Sequence, residues 1–154
     1  MAVPARKLAT WEEVWEGEAL DRKYEVLGGE VVEKAGPAGE HSTTQSGFTS
    51  GIFGPFSRRA GGGNPGGWWI LTEATIEFAR HDVLCPDLAG WRRDRMPERP
   101  VGFPIRVTPD WVCEILSPST ASRDLGPKRE VYHAYSHLNT LGGGPLPGVT
   151  AALA

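Results

Sequence analysis

The chain changes its hydrophobic period twice within the first sixty residues. Trp11, Val14 and Trp15 repeat at the i, i+3, i+4 spacing of one helix face, and Thr10 with Glu13 forms a capping box that predicts where this helix begins. "YEVLGGEVVEK" then reads as two strands around Gly28-Gly29, because a two-residue hairpin turn needs positive φ at both positions. In "HSTTQSGFTSGIFGPFSRRA", Phe48, Ile52 and Phe56 fall four apart and predict a second helix, against the weakening effect of Gly47, Gly51, Gly54 and Pro55. A glycine-rich loop over 61–67 leads to three expected strands, "WWIL", "ATIEFA" and "DVLCPDLAGW", the last two joined by an "RHD" turn. "RRDRMPERPVGFP" reads as a loop, "WVCEIL" as a strand, and "LGPKREVYHAY" as a helix with Asp124 at its N-cap. Together these elements predict an α/β domain, a mixed β-sheet flanked by helices.

The pattern stops after Tyr135. "SHLNTLGGGPLPGVTAALA" shows neither strand alternation nor a helical face. The expectation is one domain over 1–136 and a poorly ordered tail over 137–154, as in a chain cut short or shifted in frame.

Composition narrows the function classes. At 154 residues, 40% apolar and 23% charged, the chain can bury one core and is too short for two comfortable domains. A net charge of −3 argues against gripping nucleic acid over the whole surface and leaves room for a local basic patch. Cys85 and Cys113 sit in apolar runs without CxxC spacing, which speaks against zinc and for buried thiols in a reducing cytosol. No apolar stretch approaches the roughly 20 residues of a membrane span. "MAVPARKLAT" lacks a signal-peptide core, so a cytoplasmic protein is expected. The 61–67 loop lacks the Lys-Ser/Thr ending of a phosphate loop.

Two carboxylates stand where apolar residues belong. Asp87 interrupts "VLCPDLAGW" and Glu114 interrupts "WVCEIL", and an unpaired charge there would carry a large desolvation cost. On neighbouring strands the pair forms a hard-oxygen site suited to magnesium, with Lys128 coming down from the helix to hold or activate a water. Each residue also has a plainer reading. Asp87 would be a turn residue, Glu114 the partner of an arginine from 92–99, and Lys128 a solvated helix position. Spacing alone leaves the two readings near balance.

"YEVLGGEVVEK", "PDLAGW", "PDWVCEILSPST" and "SRDLGPKREVYHAY", in this order, resemble the Uma-type endonuclease family of the PD-(D/E)XK superfamily, over about residues 10 to 135. The resemblance implies the restriction-endonuclease-like fold, without the last family strand, since nothing like that strand follows Tyr135. It implies Asp87 and Glu114 as metal-binding acids, the Ile115 carbonyl as a third ligand, and Mg2+ as cofactor. Where the wider superfamily has a lysine two residues after the second acid, this chain has Leu116, and Lys128 is the substitute, with Tyr132 hydrogen-bonding beside it. Glu25 is an outer metal ligand or a surface strand residue. Its neighbours Tyr24 and Val26 face the other way. His41 contacts substrate or begins a helix, the second being preferred.

The implied activity is magnesium-assisted hydrolysis of DNA phosphodiester bonds, with a homodimer left open and no membrane partner. Arg92, Arg93, Arg95 and Arg99, following the Asp87 strand, and Arg58-Arg59 are the expected phosphate contacts. Lys128→Ala is expected to stop cleavage while leaving stability nearly unchanged. The rival reading is a non-catalytic, truncated or degenerate relative that binds nucleic acid or a partner protein. A small-molecule hydrolase built on His41 or His133 has no supporting nucleophile.

Overall fold

A computed structural model describes residues 6–17, 23–34, 36, 39–62, 66–117, 121–136 and 149–153. The first helix, α1 (Trp11–Gly17), begins at the expected box, with the Thr10 N–H donating to Glu13 Oε2 over 3.2 Å. Strands β1 (Tyr24–Leu27) and β2 (Glu30–Glu33) form the expected hairpin, with φ of 57° at Gly28 and 77° at Gly29. That left-handed region is the one glycine enters without Cβ strain.

The second helix, α2 (Gly39–Phe56), is longer than its apolar stripe suggests, because it also takes in His41 to Gln45. Phe48 and Ile52 pack onto the core as the stripe requires, whereas Phe56 is exposed.

The expected strand "DVLCPDLAGW" is two strands. β5 (Asp82–Leu84) and β6 (Leu88–Arg92) are separated by Cys85-Pro86-Asp87 and belong to different sheets. Pro86 has no N–H to give a ladder, so pairing breaks there. With β3 (Trp68–Thr72), β4 (Ile76–Ala79), β7 (Trp111–Leu116) and β8 (Val149–Leu153), the strands form two four-stranded sheets, ordered β2-β1-β5-β4 and β3-β6-β7-β8. The expected α/β class holds, with β3-β6-β7-β8 a mixed sheet, and the hairpin side forms a second sheet that meets it at the Pro86 break.

β8 corrects the expectation for the tail. Residues 149–153 lie parallel to β7, from Val112↔Val149 to Leu116↔Leu153. Parallel pairing against an open edge needs little side-chain alternation, which is why "VTAAL" gave no strand signal. The rest of 137–154 lies outside the described residues.

The helix after β7 also differs. It starts at α3 (Ala121–Arg123), passes through a kinked stretch, Asp124–Lys128, and continues as α4 (Arg129–Ser136). Asp124 is therefore inside the helical run and not its N-cap. Gly126 leaves helical angles (φ −101°, ψ −109°) directly before Pro127, whose ring cannot continue a regular helix.

Alternation along β6 and β7 sorts the core. Leu88, Cys113 and Ile115 pack with Ile70 against Phe48 and Ile52 of α2, while Ala89, Trp91 and Val112 pack with Tyr132 of α4. Two residues apart on a strand means the same face. Glu114 therefore shares the α4 face with Val112, and Asp87, just ahead of β6, shares it with Ala89.

Candidate active site

β6 and β7 run antiparallel with Leu88 opposite Cys113, so one step further along Asp87 stands opposite Glu114. Both are buried. Past the Pro86 break the Asp87 side chain takes over the ladder: its Oδ2 accepts the Ile115 N–H at 2.7 Å. An extended residue sends its N–H and C=O to the same edge, so the Ile115 carbonyl also leaves toward Asp87.

Helix α4 and the kink before it close the other side. Lys128 Nζ lies 2.5 Å from Glu114 Oε1 and 3.0 Å from Glu25 Oε1, and the Tyr132 hydroxyl donates to Glu114 Oε1 over 2.5 Å. The Lys128 side chain is only 2% exposed. It is no solvated helix position, and Glu114 is partnered from α4 and not by the arginine loop. Glu25 is 1% exposed, which removes the surface reading, and its Oε1 also accepts the Cys85 N–H at 2.7 Å. The five side chains named from the sequence, Glu25, Asp87, Glu114, Lys128 and Tyr132, thus meet in one buried cluster.

His41 begins the helix, as the preferred reading has it. It lies in the first turn of α2, and its Nε2 is 3.4 Å from Asp87 Oδ1. Two groups escaped the sequence reading. Lys34 Nζ is 3.1 Å from Asp87 Oδ1 and donates to the Cys85 carbonyl over 2.7 Å. Gln45 Nε2 donates to the Asp87 carbonyl over 3.2 Å. Lys34 ends a hairpin strand and reads as a solvated edge lysine. Only the pairing of β1 with β5, Val26↔Val83, brings the open end of the hairpin to the Pro86 break.

Electrostatics separate the two acids. Burial works hardest on Asp87 and would raise its pKa, but the Lys34 charge, the Ile115 N–H and the nearby His41 outweigh it and hold the carboxyl below its ordinary range. For Glu114 burial wins. Together with the Asp87 charge it overcomes Lys128 and Lys34 and pushes the carboxyl up from 4.5 to about 7. Lys34 is held above the ordinary lysine value: burial opposes its charge, and Cys85, Asp87 and Glu114 favour it. Both thiols are shifted upward, chiefly by burial, Cys113 to about 12. They are inert fillers at neutral pH.

Among the described residues, no three His, Cys, Asp or Glu side chains stand in a ready-made chelating arrangement. What is present is a set of hard oxygens: the Asp87 and Glu114 carboxylates and the Ile115 carbonyl. Beside them a groove of about 800 Å³ runs along α2 from Ser42 to Gly54, facing Thr72 and Glu73. Gln45 and Glu73 line it and also hydrogen-bond the Asp87 backbone carbonyl, so the groove adjoins the backbone of Asp87.

The arginine loop does not. β6 separates it from Asp87 by five residues, about 16 Å of strand. Three of its four arginines are also engaged: Arg92 with Asp94, Arg95 with Asp110 at 2.8 Å, and Arg93 with the Trp68 and Ser57 carbonyls while stacked over Trp69 at 3.7 Å; Arg99 is exposed. Arg58 and Arg59, beyond the C-terminal end of α2, are exposed.

No helix among the described residues is long and apolar enough to cross a membrane. No curated protein matches the chain. Among solved structures it is similar to a protein from Anabaena variabilis ATCC 29413, titled a putative nuclease belonging to DUF820, with a TM-score of 0.63 and 23% identity. The similarity covers 81% of this chain and 66% of that one, so this chain spans just under two thirds of its solved relative. At that identity the likeness establishes a shared nuclease-like α/β fold. The sequence itself matches the Uma2 family, described as "Putative restriction endonuclease", over residues 9–137, and the chain belongs to that family.

Proposed function

We propose that this protein is a magnesium-dependent endonuclease that hydrolyses DNA phosphodiester bonds at the Asp87–Glu114 cluster. One observation carries the reading: buried Asp87, whose carboxylate takes the Ile115 N–H, stands next to buried Glu114, and a buried lysine from the kink before α4 is set on Glu114. Structure alone gives no reason to bury these charges, since replacing a buried ion pair with apolar residues is often neutral or stabilising.

The donor set fits magnesium, which takes one or two carboxylates with backbone oxygen and keeps several waters. Asp87, Glu114 and the Ile115 carbonyl would hold it. When bound, the ion supplies positive charge beside the scissile phosphate and makes a water more acidic. The chain's own groups do the rest. Lys128 presents a desolvated ammonium to negative charge that develops on the phosphate. Glu25, fixed by the Cys85 N–H, and Tyr132, bonded to Glu114, hold Lys128 and Glu114 in place as positioning residues. The hydroxyls of Ser42, Ser46, Thr49 and Ser50 line the groove beside Asp87 and suit a phosphate backbone without reading its bases.

The non-catalytic alternative rested in part on a missing last strand, and a strand, β8, does pair with β7. Incubation of purified protein with supercoiled plasmid tests the choice. Nicking that requires magnesium and stops with chelator supports the enzyme. Binding without nicking across magnesium and manganese concentrations supports the alternative.

A further inference from the structure

The Asp87 carboxylate already has a cation. Its Oδ1 faces the Lys34 ammonium at 3.1 Å and His41 Nε2 at 3.4 Å, and its Oδ2 is taken by the Ile115 N–H. This position of Lys34 is built in. The hairpin continues past β2, with the Lys34 N–H donating to the Lys23 carbonyl at 2.8 Å, and the ammonium is tied to the Cys85 carbonyl at 2.7 Å. The two lysines of the cluster are not held alike. Lys128 bridges two carboxylates and is 2% exposed, whereas Lys34 holds one carboxylate and one carbonyl and is 15% exposed.

We propose that Lys34 is an internal counterion of Asp87 that a divalent ion must displace, and that it thereby sets the metal affinity of the site. The proposal rests on the metal-dependent reading above. Formal charge gives the reason. With all three acids ionised, as a cation held between them demands, Glu25, Asp87 and Glu114 against Lys34 and Lys128 leave one negative charge, half of what a divalent ion needs for neutrality. The nearby Glu73 adds little, being paired with Lys23. Without the Lys34 charge the cluster would carry two negative charges and match the ion. A cation within a few ångströms of another is repelled strongly at protein dielectric, so occupancy by both is disfavoured. A four-carbon stem with a partly exposed head can withdraw toward solvent, which Lys128 cannot do.

Manganese binding to the full chain, followed by the loss of the free-ion paramagnetic resonance signal, tests this without reference to activity. Lys34→Met keeps volume and removes charge, and should bind manganese about 10- to 100-fold more tightly than the wild type. Lys34→Gln, which keeps a hydrogen-bonding head, should do the same and serves if the methionine variant does not fold. Lys34→Arg should stay as weak as the wild type, and adding Glu114→Gln to Lys34→Met should abolish the gain. Equal or weaker binding by both neutral variants, with binding still dependent on Glu114, would overturn the role of Lys34 and leave the metal site standing. No binding by any variant would overturn both.

Discussion

At its start β6 is preceded by Asp87, buried among Lys34, His41 and the Ile115 N–H; at its end it carries Arg92, partly exposed and paired with Asp94. Both ends are rich in charge, and both stand next to loops. They differ in what the charge accomplishes locally. Around the arginines each pairing ties loop to sheet: Arg93 bonds two backbone carbonyls and stacks on Trp69, and Asp110 accepts both Arg95 and the Arg92 N–H. Around the acids a second carboxylate, Glu114, is kept against its own desolvation and against Asp87. Charge that closes loops is what folding alone selects. Charge buried beside like charge is what folding alone does not select.

Breaking the acid end should have the largest effect. Asp87→Asn and Glu114→Gln are each expected to lower the single-turnover DNA cleavage rate on the order of 10²–10³-fold while duplex affinity stays near that of the wild type. Loss of affinity in parallel with rate would make these residues binding groups instead. Lys128→Ala comes next. The expectation from sequence, a stable but inactive variant, is replaced, because removing the ammonium leaves Glu25 and Glu114 buried beside each other. Denaturant unfolding should show a loss of about 3–5 kcal/mol. A variant as stable as the wild type would mean that Lys128 is not held on these acids.

The pH dependence of stability sharpens the contrast between the acids themselves. Glu114 has a folded pKa above its unfolded one, so its contribution is fully present below about pH 4.5 and is lost as pH rises through about 7. That gap corresponds to about 3 kcal/mol in metal-free buffer. Glu114→Gln should remove this loss, and an unchanged profile in the variant would count against the raised value. Asp87 has the opposite sign: its depressed pKa contributes stability above the ordinary carboxyl range, lost on acidification through its folded pKa.

The arginine end should respond more weakly and in a different observable. Arg93→Ala is expected to cost about 2 kcal/mol of stability from its lost hydrogen bonds and ring contact, with the salt dependence of DNA binding unchanged. Replacing exposed Arg58 and Arg59 by alanine should leave stability alone and reduce the slope of log affinity against log salt by about 1 for each residue. The reverse assignment would place the DNA contact on the loop after β6.

How much of this could be read from the sequence depended on whether a residue broke a pattern. Asp87 and Glu114 were legible because each interrupts an apolar run, and Lys128 with Tyr132 because four residues apart on a helix is one face. The Gly28-Gly29 turn was legible because few other pairs enter that backbone region. Lys34 and Gln45 broke nothing. A lysine after "EVVE" and a glutamine in a polar helix fit solvent equally well, and only the docking of β1 on β5 and of α2 beside the β6 break brings them to Asp87. The arginines misled for the reverse reason. Nearness in sequence to Asp87 became distance once β6 was extended between them.

The central claim is that Asp87 and Glu114 share one divalent ion. Anomalous diffraction at the manganese edge, from crystals of the wild-type protein soaked in high manganese, tests it most directly. The account predicts one strong peak within coordination distance of both carboxylates and the Ile115 carbonyl, with the Lys34 ammonium moved off Asp87. A peak held by other residues, or Lys34 still on Asp87 with no ion between the two acids, would contradict it.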